Sequence, residues 1–157
     1  MADRAEPTAS AAIAAVADRI DVVGEGIDAI ADADLAAASR MVMSELQALG
    51  ERVLEIWVET RGEPPTAELK EGFRLLALHR QGARGEPSFN ACRETTRELA
   101  YHVNLIAADP VHPDTRQRLR LAAMVARHLA LFVGGKIEVA GLGDFCCSSR
   151  PVRSGEA

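Results

Sequence analysis

Residues 115–133, TRQRLRLAAMVARHLALFV, restrict the fold more than any other stretch of this chain. Placed at about 100° per residue, Leu121, Val125, Leu129 and Phe132, flanked by Ala122, Met124, Leu131 and Val133, cover well over half of the helix circumference. Arg116, Arg120 and Arg127 share the narrow polar stripe that is left. A helix apolar over so much of its surface has to be enclosed on several sides, so this stretch predicts the central helix of a bundle. Gly134-Gly135 is the expected stop.

Around it the chain is helical in composition. Aromatic residues make up 4%, Ala and Leu abound, and β-branched residues never gather into alternating runs. With 157 residues, 48% hydrophobic and 26% charged, the chain is globular and fits one domain burying roughly 70% of its unfolded surface. The net charge of −5 is unevenly spread. Residues 1–65 hold 5 basic and 13 acidic residues, whereas residues 66–157 hold 13 basic and 10 acidic ones. That balance makes the whole chain a poor nucleic-acid binder, although its second part has the charge for a basic patch. No apolar run approaches the roughly 20 residues of a membrane span. Ala9–Ala17 is small and apolar but lacks a basic leader and is cut off by Asp18 and Arg19, so a secretory signal is not expected. Three cysteines, two of them adjacent, make no disulfide framework, and a reducing cytoplasmic location is the expectation.

Taken in order, residues 1–8 are expected to be frayed. Ile13, Val16, Ile20, Val23, Ile27 and Ile30 then follow an unbroken 3-4 spacing, a narrow seam of coiled-coil type. Its small hydrophobic width, with Ile and Val at both seam positions, predicts self-association of the N-terminal helix. A second seam in shifted register, Leu35, Val42, Leu46, Leu49, Val53 and Ile56, implies a bend near Asp32 and a helical hairpin over 9–62. Arg61-Gly62 and Pro64-Pro65 end it. Thr66 is the expected cap of a third helix carrying Leu69, Phe73, Leu76 and Leu78 and closed by Gly82. Ser88 or Asn90 is the expected cap of a fourth, with the seam Phe89, Cys92, Thr96, Leu99, Val103 and Ile106. His112 is expected to cap the next turn, and Pro113 suits the first position of the central helix. Residues 66–145 would form the helical core, and 146–157 a flexible tail after a glycine-rich stretch.

No motif fixes a chemistry. Cys146-Cys147, near Arg150 and Arg153, is the oddest feature. Thiolates beside positive charge take part in redox exchange and bind soft metals, here with Cys92 or His128 as outside ligands. Adjacent cysteines rarely reach the geometry of a mutual disulfide, however, and no C-x-x-C spacing is present. Packing is the expected role of Cys92 in mid-seam, and His128 is expected to be a neutral core histidine within the central apolar face. Glu94, Glu98 and His102 share one helical stripe but lack the Glu-x-x-His pattern of di-iron bundles, so a solvated or partner-facing stripe is expected. Gly135-Lys136 and Gly141-Leu142-Gly143 fail as nucleotide motifs. Arg80, Arg84, Arg93 and Arg97 crowd the junction of helices three and four, where they either receive an acidic partner or a phosphate, or pair with Glu86, Glu94, Glu98 and the acidic N-terminal helices, the pairing being the expected outcome.

The expectation is therefore an all-α, five-helix bundle with a long N-terminal helical hairpin and a glycine-rich C-terminal tail. The expected function is non-enzymatic and needs no cofactor: self-association through the first seam, and docking of a partner protein on Arg80, Arg84, Arg93, Arg97, Tyr101 and Leu105. The rival is a thiol- or metal-responsive sensor using Cys92, Cys146, Cys147 and His128, with a Cys/His-bound metal ion.

Overall fold

The computed structural model describes residues 5–140. They form five α-helices and no strand: α1 (Ala9–Ile27), α2 (Leu35–Thr60), α3 (Arg74–Ala83), α4 (Arg93–Ala108) and α5 (Thr115–Val139). The central helix predicted from its apolar breadth is α5. It buries Leu119, Ala122, Ala123, Ala126, Leu129, Ala130, Val133 and Ile137 and packs against α1, α2 and α4. Two expectations about it are corrected. The helix runs through Gly134-Gly135 to Val139, because Gly134 faces α1 so closely that a Cβ there would lie 3.2 Å from Ile13 Cγ2. His128 is exposed, on an outward arc with Met124 and Leu131, and not in the core. Alanines pack the buried arc so tightly that it needs less of the circumference than the projection suggests.

The N-terminal seam is also corrected. Ile13, Val16, Ile20, Val23 and Ile27 are buried in the chain's own core, and Ile30 is half-buried. A narrow stripe suffices because α1 lies antiparallel against the small residues of α5, with Gly24 facing Ala123 and Gly134 facing Ile13. These side chains are therefore not available as a self-association surface. Thr8 caps α1 by accepting a hydrogen bond from the Ala11 amide at 3.0 Å.

Charge follows the same pairing. Arg116 donates to the carbonyls of Ile27 and Ile30 at 2.6 and 2.7 Å, satisfying orphan acceptors at the end of α1, and bonds Asp32 at 2.8 Å. Arg120 bonds Asp28 at 2.7 Å and Arg127 pairs with Asp21 at 2.9 Å. The acidic first part of the sequence and the arginine stripe of α5 are thus two sides of one seam.

A short 3-10 turn at Asp32–Asp34 makes the expected bend, and α2 returns antiparallel to α1, with Arg19 bonding Glu45 at 2.6 Å. The third helix starts later than expected. Residues 63–73 form an irregular strap, since Gly72 and Glu71 adopt φ of 84° and 54° before α3 begins. Gln81 holds this strap by accepting from the Thr66 amide at 2.8 Å and donating to the Pro64 carbonyl at 2.9 Å. Thr66 is no helix cap, and Leu69 is 64% exposed. Nor do Ser88 or Asn90 cap α4, which follows a 3-10 turn at Pro87–Cys92 and has no side-chain cap. His112 Nδ1 accepts from the Asp114 amide at 3.0 Å in the turn before α5, which begins two residues beyond Pro113.

The α2–α4 crossing depends on one glycine. A Cβ on Gly50 would lie 2.6 Å from Leu99 Cδ2 and 3.3 Å from Leu75 Cδ1, both in fully buried side chains. Gly50→Ala gains up to about 1 kcal/mol of helix propensity but overpacks this crossing by about 1–3 kcal/mol. Thermal denaturation should show a Tm lower by about 2–6 °C. A Tm at or above that of the parent would contradict so close an approach.

Candidate functional site

The polar and aromatic residues of greatest interest gather around α3, the turn after it and the first half of α4. Their scaffold is an aromatic stack. Trp57 of α2 lies parallel to Phe89 at 4.9 Å between ring centroids, and His79 of α3 stacks on Phe89 at 5.3 Å. Phe132 of α5 meets Phe89 at 6.2 Å. Trp57 Nε1 and Arg61 both donate to the Gly82 carbonyl, at 2.9 and 2.6 Å, and Arg61 also donates to the Arg84 carbonyl at 2.7 Å. The position of Gly82 admits no side chain, as a Cβ would lie 2.8 Å from Trp57 Cδ1 and 3.0 Å from Phe89 Cε1. Arg61 and Lys136 sit over the Trp57 ring at 5.9 and 5.8 Å, close enough for cation–π attraction. The stack fixes the α3–α4 turn in three dimensions. Sequence periodicity did not single it out, because Trp57 falls one residue outside the seam of α2; the chain's one tryptophan is the only sequence cue to it.

The predicted arginine face is divided by the structure. Arg97 and Tyr101 line an open groove of about 400 Å³ with Glu71, Phe73, Leu76, Glu94, Glu98, Ala100 and Asn104. Tyr101 is 59% exposed, and Leu105, one turn further along α4, is half-buried. Arg97 bridges the groove to the strap through a two-pronged pair with Glu71, at 2.9 and 3.3 Å. The hydrogen bond from Arg97 holds the Glu71 carboxyl below its ordinary pKa. Glu94 and Glu98 are exposed and make no ion pair. Arg80, Arg84 and Arg93 lie apart from these, in a second groove of about 350 Å³ with Lys70, His79, Ala83 and Asn90.

The histidines and cysteines fall elsewhere. His79 is buried with Nε2 3.2 Å from the Phe89 carbonyl, and burial, reinforced by Arg93 and Lys70, lowers its pKa. His102 is buried on α4 with Nδ1 unpartnered. Burial lowers its pKa too, opposed by Glu98 and aided by Arg118. The Glu94–Glu98–His102 stripe therefore does not present three ligands together to solvent. Cys92 is a buried free thiol donating to the Phe89 carbonyl at 3.3 Å, and burial pushes its pKa up to about 12. That is a packing thiol and a poor nucleophile. Cys146 and Cys147 lie outside the described residues, and His128 is exposed on α5 whereas Cys92 is buried at the end of the Pro87–Cys92 turn. Among the described residues no three His, Cys, Asp or Glu side chains converge as a metal site, and no helix is long and apolar enough to cross a membrane.

Comparison of the chain with protein-family models, with curated proteins and with solved structures returns no match.

The buried imidazoles make stability pH-dependent. A histidine whose pKa is lower folded than unfolded takes up a proton on unfolding, so its contribution weakens as pH falls through the ordinary histidine range. His102→Leu removes one such group together with an unpartnered buried nitrogen. Its Tm relative to the parent should rise as pH is lowered from 8 to 5.5. A difference independent of pH would contradict a neutral, buried His102.

Proposed function

We propose that this protein is a non-enzymatic docking module whose Tyr101 groove receives a segment of a partner protein. The single observation behind this reading is the make-up of that groove. Its floor is apolar and aromatic, from Phe73, Leu76, Ala100 and the exposed ring of Tyr101, while Glu71, Arg97, Glu94, Glu98 and Asn104 form its rim. Desolvated aromatic anchors inside a polar rim are what carry affinity at protein interfaces. The rim also specifies charge. Glu71 is occupied by Arg97, but Glu94 and Glu98 have no ion pair and favour a cationic flank on the incoming segment. The occupant is accordingly a peptide segment with one large apolar anchor beside lysine or arginine. The floor is set between α3, α4 and the strap, elements held by Gln81 and Arg74, so it exists before the partner arrives.

Selection from a displayed random-peptide library on the purified protein tests this. Peptides pairing an aromatic or leucine anchor with basic neighbours should be enriched, and Tyr101→Ala should weaken the best of them at least about tenfold, the loss expected of a tyrosine that becomes buried on binding. Glu94→Gln with Glu98→Gln should lower affinity and weaken its dependence on salt. Peptides that bind Tyr101→Ala as well as the parent would defeat the reading.

A further inference from the structure

We propose that the second groove, between α3 and the start of α4, binds a phosphomonoester through Arg80, Arg84, Arg93 and Lys70. The pattern of charge pairing across the protein points there. In an acid-rich chain, Arg19, Arg52, Arg74, Arg97, Arg116, Arg120, Arg127 and Lys136 all have carboxylate partners. Among the described residues, the side chains of Arg40, Lys70, Arg84, Arg93 and Arg118 have neither an ion pair nor a hydrogen bond, and three of these five line this one groove. The fourth cation, Arg80, has only a long, exposed contact of 3.6 Å to Glu68. No carboxylate lines the groove. Of the acids close by, Glu86 is engaged by Lys136 at 3.3 Å and by Ser88, and Glu71, near enough to feel the charge of Lys70 and Arg93, is held by the Arg97 fork.

The cations come from three separate elements: Lys70 from the strap, Arg80 and Arg84 from α3 and its end, and Arg93 from the first position of α4. The strap is pinned by Gln81, and the turn by the Trp57–Phe89 stack, so the backbone positions that carry these cations are held close together. Both Arg93 and Lys70 lie close enough to depress the ionisation of His79 beneath them. A lone carboxylate satisfies one guanidinium fork. A phosphomonoester carries nearly two charges and three acceptor oxygens, which suits several forks converging on a groove of about 350 Å³. Asn90 adds a neutral amide at the rim. The same chemistry can come from a free phosphorylated small molecule or from a phosphorylated side chain of a peptide. The site stands apart from the Tyr101 groove and does not depend on it.

Isothermal titration calorimetry at low salt, with O-phospho-L-serine, a phosphoserine hexapeptide and the same hexapeptide carrying glutamate, tests the assignment. At least one phosphorylated probe should bind with a stoichiometry of one and at least about tenfold more tightly than the glutamate peptide. Equal binding of both phosphorylated probes assigns the small-molecule source, and binding of the peptide alone assigns the side chain. The double variant Arg84→Glu, Arg93→Glu should lose at least about tenfold in affinity, and Arg84→Lys, Arg93→Lys, which keeps the charge and removes the forks, should lose several-fold. If the glutamate variant melts below the parent, the lysine variant decides. Tyr101→Ala should leave this binding unchanged, so its failure and that of the peptide groove are told apart. Absence of binding by both phosphorylated probes at millimolar concentration, or equal binding of the glutamate peptide, would overturn the assignment, as would full affinity in a folded double variant.

Discussion

The close antiparallel contact of α1 with α5 is the constraint on which the remainder of the bundle depends. Its apolar half is a stripe of Ile and Val from α1 laid against the small residues of α5, with Gly134 facing Ile13 and Ala123 facing Gly24. Its polar half is the row Arg116, Arg120 and Arg127, meeting Asp32, Asp28 and Asp21. Small residues on one helix let large ones on the other approach, and the arginines at the edge set the register. Arg116 goes further, because its bonds to the Ile27 and Ile30 carbonyls close the end of α1 where no glycine cap is present. With α1 on one side and α4 on the other, α5 becomes the axis of the bundle, and α2 fills the remaining side.

From that axis the two grooves follow by stages. Phe132 and Lys136 of α5 reach the Trp57–Phe89 stack, so the position of the α3–α4 turn is tied to the core. The turn then holds Arg84 and Arg93 outward, and the strap before α3 brings Glu71 across to Arg97. Two grooves of opposite character result on either side of the same short elements. One has an aromatic floor with free glutamates at its edge; the other is cationic and lacks acids. Three of the five cations that have neither an ion pair nor a hydrogen bond among the described residues lie in one groove, and the exposed Tyr101 lies in the other.

Much of the architecture was legible in the chain. Helical period, the 3-4 seams and the breadth of the apolar face in residues 115–133 identify the five helices and the central one. The charge asymmetry between the first 65 residues and the rest anticipates pairing, but the sequence does not show which acids face which arginines. What periodicity misjudged has specific causes. A narrow seam looks like a self-association surface unless the partner helix is seen to be lined with alanine and glycine. Gly134-Gly135 looks like a stop unless Ile13 is known to press against it. Thr66 looks like a cap, although Glu71 and Gly72 in the left-handed region delay the helix to Arg74. For the site, the sequence places the four arginines side by side, whereas their division into two grooves depends on the strap and the Trp57 stack, both set by long-range contacts.

The central claim is that the α1 stripe belongs to the core of its own chain. Denaturant unfolding of Ile20→Ala at two protein concentrations, with light scattering on the same samples, tests it most directly. Ile20 is 1% exposed, and truncating so buried an isoleucine should cost about 2–5 kcal/mol at either concentration without changing the mass of the native species. Stability within about 0.5 kcal/mol of the parent, together with a smaller native mass, would contradict the claim and return the stripe to an intermolecular seam.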